Sequence, residues 1–153
     1  MKRFLTILFV CLPLMAQAPK PQFEVGADTD VATTVRSVLL APSGTAKLIR
    51  PVWATVYCEN ECVVTPKRNV AYSSGSTITV GEYNPMTNPS VTAKSGATIT
   101  GGTSFKSYVV TAKDTLTIPM TMFVLQHGDD DNVALVTDSV SDRVVINIAV
   151  EQN

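Results

Sequence analysis

The chain holds one histidine, His127, three cysteines, and one dense acidic run, Asp129-Asp130-Asp131-Asn132. These residues bound the chemistry it could do. Hydrolysis on a Ser-His-Asp or Cys-His set needs a histidine base. His127 adjoins Gly128 in a turn-like run, where a solvated imidazole is the plainer reading. No serine stands in a Gly-x-Ser-x-Gly elbow, and no Gly-x-x-x-x-Gly-Lys loop is present to cradle a phosphate. Glycosidase chemistry wants two acids facing one another across a cleft, whereas Asp129, Asp130 and Asp131 are adjacent and their side chains diverge. The expectation is a chain that is not an enzyme.

Binding chemistry leaves more room. Hard oxygen donors crowded on one loop suit Ca²⁺, which extracellular modules often bind weakly. Asp129, Asp130 and Asp131 are the candidate metal ligands, with Asp28 and Asp30 as further donors should the fold bring them near. The run lacks the spaced Asp-x-Asp-x-Asp-Gly pattern, so a solvated acidic loop is the preferred reading and Ca²⁺ the one cofactor carried beside "none". Trp53, Tyr57, Tyr72, Tyr83 and Tyr108 could build a face for sugar or protein, since flat amphipathic rings favour interfaces. Aromatics in strands more often fill a core or pair across strands. Trp53 stands in the most apolar stretch and is expected in the core. Tyr72 and Tyr83 flank irregular stretches and are the expected binding contacts.

Cys58 and Cys62 enclose only Glu59-Asn60-Glu61. A zinc site would want four ligands, and the rest of the chain supplies no second histidine. A disulfide in an oxidising compartment is therefore expected, one that shapes a turn more than it stabilises the fold. The third cysteine, Cys11, lies in a segment with the layout of a bacterial secretory signal. Lys2-Arg3 is a positive start, Phe4 to Met15 is an apolar stretch broken by Pro13, and Ala16-Gln17-Ala18 offers small residues to a signal peptidase. That stretch is shorter than the ~20 residues of a spanning helix. Pro19 is an unfavourable residue after a cut at Ala18, and a cut after Ala16 would put Leu14 where a smaller residue is preferred. Cleavage is still preferred over retention as an anchor, because no strong polar anchor follows. Phe9-Val10 before Cys11 argues against a lipoprotein. Residues 1–18 are thus expected to be a signal, leaving a protein that is secreted, periplasmic or at the cell surface, with no membrane contact once the signal is gone.

The elements that would position these groups are strands. With 153 residues, 45% hydrophobic and 16% charged, the chain suffices for one domain with a real core. A net charge of −1 and scattered Lys and Arg give no footprint for nucleic acid. Residues 19–30, with two close prolines, read as an extended linker or arm, and residues 31–153 as the domain. Period-two alternation keeps returning where helical stripes do not. Leu116, Ile118, Met120 and Met122 share one face of a strand whose Pro119 marks an edge or a bulge. In the last segment Val144, Ile146, Ile148 and Val150 point one way, and Arg143, Val145, Asn147, Ala149 and Glu151 the other. Further strands are expected over 33–40, 47–58, 62–65, 76–80, 97–100, 105–111, 122–126 and 133–137. Residues 81–103, rich in Asn, Pro, Ser, Thr and Gly, read as a long surface loop or weak hairpin. Many short strands separated by turns predict an all-β, antiparallel two-sheet sandwich of jelly-roll or Ig-like type.

The stretch Thr33-Thr34-Val35-Arg36-Ser37-Val38-Leu39-Leu40-Ala41-Pro42-Ser43-Gly44-Thr45-Ala46-Lys47-Leu48-Ile49-Arg50 resembles the opening hairpin of small phage virion proteins. Ala112-Lys113-Asp114-Thr115-Leu116 is similar to their late Gly-Asp-x-Leu turn, with Lys113 standing where the glycine would be. Arg143 to Val150 resembles their closing strand. The resemblance spans most of residues 30–151 in layout and implies a β-sandwich decoration or fibre-associated module, often oligomeric, with no catalytic residues to carry over. The signal segment departs from that pattern and favours a cellular secreted protein or surface filament subunit. Two functions are therefore expected. One is a secreted structural or assembly module that associates with itself or with another surface protein. The other is an extracellular module binding glycan or protein, with or without calcium.

Overall fold

The computed structural model describes residues 22–29, 37–43, 48–82, 90–126, 131–138 and 142–152, none of them helical. Val, Ile and Thr recur through these segments, and such β-branched side chains fit a pleated, half-buried surface better than a helix. In chain order the strands are β1 (Phe23–Thr29), β2 (Ser37–Pro42), β3 (Leu48–Cys58), β4 (Cys62–Arg68), β5 (Ala71–Ser73), β6 (Ser76–Ile78), β7 (Gly81–Glu82) and β8 (Val91–Ser95). They continue with β9 (Thr98–Thr100), β10 (Thr103–Ser104), β11 (Tyr108–Val110), β12 (Asp114–Pro119), β13 (Leu125–Gln126), β14 (Val133–Thr137) and β15 (Val144–Gln152).

Two antiparallel sheets pack face to face, so the expected two-sheet sandwich is what forms. Sheet A runs β12-β3-β15-β1-β7, with β13 also on β3, and sheet B runs β10-β4-β14-β2-β8-β6, with β11 also on β4. β5 and β9 make a separate two-stranded ribbon. The alternation of β15 behaves as expected: Val144, Ile146, Ile148 and Val150 are buried. They share one interior with Val56 and Ile118 of sheet A and with Val38, Leu40, Val64, Val91, Val133 and Leu135 of sheet B. At about 1.5–3 kcal/mol for each fully buried aliphatic side chain, that interior is the main source of stability. Pro119 ends β12, the outermost strand of sheet A, where a missing N–H breaks no ladder.

Two polar devices fix how the sheets meet. The Cys58–Cys62 disulfide joins the last residue of β3 in sheet A to the first of β4 in sheet B, with Cα atoms 6.2 Å apart. Beside sheet B, Asp131 is nearly buried and accepts from the Arg68 guanidinium through both oxygens, at 3.0 Å each from Nη2. Arg68 also donates to the Val124 carbonyl at 3.1 Å, and the Gln126 N–H donates to Asp131. Next to it the buried Asn132 accepts from the Val70 N–H at 2.9 Å and donates to the Val70 carbonyl at 3.0 Å. The turn after β9 packs against this same corner. Gly102, at φ 77°, lies so close that an added Cβ would meet Val70 Cγ1 at 2.5 Å and the Arg68 carbonyl at 2.8 Å, which is why glycine is required there.

Four expectations change. Residues 23–29, read as part of an arm, are β1, paired with β15 from Phe23↔Val150 to Thr29↔Val144, because Phe23 and Val25 are core side chains. Residues 91–95, read as loop, are β8, an internal strand of sheet B whose Val91 and Ala93 are buried while Thr92 faces out. Met122 leaves the alternation after Pro119 and sits exposed in a turn. Trp53, expected in the core, faces outward at 36% exposure. Its cause is a bulge: Ala149 pairs with Trp53 but Val150 pairs with Pro51, leaving Val52 as an extra residue on β3. Ile49 and Pro51 are buried before it, Ala54, Val56 and Cys58 after it, so the parity of the strand reverses there and Trp53 turns out.

Candidate functional site

The sheets' outer faces differ. That of sheet B is apolar at its centre: Leu39, Val70 and Ala134 form a second small buried cluster, packed with Ile99 of the β5–β9 ribbon and Val136. That of sheet A has no such cover among the described residues. Pairing across β12, β3, β15 and β1 sets its side chains in rows. Thr115, Tyr57, Val145 and Asp28 lie side by side; so do Thr117, Thr55, Asn147 and Gly26; so do Pro119, Trp53, Ala149 and Glu24. Alternation makes these the outward residues of their strands.

This face is recessed. A depression of about 330 Å³ is lined by Thr55, Tyr57, Thr115, Arg143, Val145 and Asn147. On the β1 side the missing side chain of Gly26 makes room for that of Asn147; a Cβ there would meet Asn147 Oδ1 at 2.4 Å. Arg143 closes one end and is held by Asp28, to which its Nε donates at 2.9 Å and its Nη2 donates as well. The hydrogen bond from Arg143, with its nearby positive charge, lowers the Asp28 pKa below the ordinary 3.8 against the opposing effect of desolvation. Both side chains are about half exposed, so the pair sits at the surface as a fixed, neutralised donor–acceptor edge. The lining is thus two threonine hydroxyls, a phenol, an amide, a guanidinium and a valine. Such a set can stack and hydrogen-bond.

The sequence-predicted residues fall in different places. Cys58 and Cys62 form the expected disulfide, compatible with an oxidising, extracytoplasmic compartment. Asp131 is committed to Arg68, and Asp28 to Arg143. Asp129, Asp130, Asp30 and His127 lie outside the described residues, as do Tyr83 and the segment 1–18. Among the described residues no three His, Cys, Asp or Glu side chains converge, and no helix is long and apolar enough to cross a membrane. Tyr72 is exposed on β5, with Lys94 Nζ 5.4 Å from its ring centre, on the sheet B side and away from the depression. Thr55, Thr115 and Asn147 were not singled out from sequence, and Tyr57 only as one of five aromatics that could build a binding face. Their signal was there in part: Asn147 and Arg143 share the outward face of the last strand. What brings them together is strand order, which pairs β15 with β3 and β1. Comparison with family models, with curated proteins and with solved structures found no match to this chain.

Proposed function

We propose that this chain is an exported, non-catalytic structural or assembly module, a surface-filament, surface-layer or virion-type subunit, that works through sheet A. The carrying observation is the edge of β1. β7 pairs only with Phe23 and Glu24, so among the described residues the outer edge from Val25 to Thr29 carries no partner strand. An open edge is a template for a further strand, and this one lacks the prolines and lysines that usually guard such edges. Gly26 and Ala27 are small enough for close approach. Export is supported by the signal-like residues 1–18 and by the disulfide, and partners are a second copy or another surface protein. Sedimentation velocity on the mature protein recovered from its host tests this. Oligomers or filaments that grow with concentration are expected; a monomer at every concentration contradicts it.

The sheet A depression favours a second reading, an extracellular ligand-binding module. The two use different parts of one sheet: strand addition uses backbone groups at an edge, and ligand binding uses side chains on the face.

A further inference from the structure

Resting on that second reading, we infer that the outer face of sheet A binds a neutral oligosaccharide, with Trp53 and Tyr57 as stacking platforms and Thr55 and Asn147 as hydrogen-bonding groups between them. Trp53 and Tyr57 are four residues apart on one face of β3, which at 3.3 Å per residue places them about 13 Å apart. Thr55 lies between them, and Asn147 is its cross-strand neighbour. Such a span fits a short chain of rings rather than one small molecule.

The chemistry of the face selects the class. Within a sheet the backbone N–H and C=O groups are consumed laterally, so a ligand on the face meets side chains alone. An extended peptide would forfeit its backbone hydrogen bonds there and is better served by the β1 edge. The groups offered are hydroxyl, phenol and amide, each able to donate and accept. Beside them are aromatic faces that suit the C–H faces of a pyranose. Among the described residues Tyr57 Oη, Thr55 Oγ1 and the Asn147 amide have no protein hydrogen-bond partner, so their capacity is available to a ligand. Charge excludes the rivals. Arg143 is paired with Asp28, and Arg50, further along the same face, with Glu151. Among the described residues the face therefore offers no cluster of uncompensated cations, the footprint that nucleic acid and acidic polysaccharide need although both could stack on the rings.

The test is a titration of the full mature protein, read by amide chemical shifts, with cellohexaose, xylohexaose, mannohexaose and chitohexaose, and with hexagalacturonic acid as the acidic comparator. Saturable shifts on β3 and β15 are expected with at least one neutral hexamer and not with the acid. Trp53→Ala should weaken that binding tenfold or more, Asn147→Ala and Tyr57→Phe should weaken it by about three- to tenfold as a lost hydrogen bond does, and Tyr72→Ala on the opposite side should leave it unchanged. All three face substitutions lie at the surface, and retained thermal unfolding temperature verifies that they fold. Binding of the acid in place of the neutral chains, lost on Trp53→Ala, overturns the ligand class while leaving a ligand-binding face. Neutral binding indifferent to Trp53, or no shift on this face with any probe, overturns the inference; in the latter case the ligand-binding reading falls with it.

Discussion

The two outer faces of the sandwich are built from the same kind of strand and finished in opposite ways. On sheet B, Leu39 and Ala134 point away from the main core, and the chain lays the β5–β9 ribbon over them. On sheet A, Trp53 and Tyr57 point away from the same core, and no described residue packs a ribbon over them. Apolar surface left open in that manner, beside hydroxyls and an amide, is what a recognition face needs. The two arginine–aspartate pairs repeat the contrast. Arg68–Asp131 is sunk beside sheet B and also bonds the Val124 carbonyl and Gln126 N–H, so it fastens chain to chain. Arg143–Asp28 stands half exposed at the rim of the sheet A depression, where it stabilises little and presents polar atoms.

Substitutions can break this contrast. The largest effect is expected for Leu39→Ala, which empties the small cluster under the ribbon and should cost about 2–3 kcal/mol in denaturant unfolding, the low end for a buried leucine. Asp131→Ala should cost about 2 kcal/mol, since it strips a charged acceptor from Arg68 and an acceptor from Gln126. Replacing Cys58 and Cys62 together by alanine should lower stability by about 2 kcal/mol or less, because the closed loop is short. Trp53→Ala should change stability by under about 1 kcal/mol; a loss as large as that of Leu39→Ala would make the sheet A face structural, like its counterpart. The smallest effect is in acid. Asp28 has its pKa lowered by Arg143, so the pair's contribution is present above the unfolded-state value and is lost as pH falls through the lower folded value, below about pH 4. Arg143→Ala should return Asp28 to the ordinary range in a carboxylate NMR titration, with almost no change in stability at neutral pH.

The alternation of residues 144–150, the edge placement of Pro119 and the disulfide were all legible, because each is a local property: a period of two, a missing N–H, a three-residue gap. Trp53 was not. Its direction depends on the extra residue Val52, and the run Pro51-Val52-Trp53-Ala54 reads as continuous apolar strand unless the partner β15 is known. Pro51 was a partial signal, since prolines inside sheets gather at bulges. The strand at residues 91–95 was hidden because Val91 and Ala93 are only two core residues in a stretch otherwise rich in Ser, Thr and Gly. The candidate site itself is non-local: Asp28 and Arg143 are 115 positions apart, and only the order β12-β3-β15-β1 makes one surface of their strands.

The most direct test of sheet A as the working surface is hydrogen–deuterium exchange. The protein recovered in its assembled or partner-bound state would be compared with the same protein diluted to free monomer. Slower exchange confined to the open edge of β1, from Val25 to Thr29, is the predicted result. Equal exchange in both states, or protection gained instead on the β5–β9 ribbon, would contradict it.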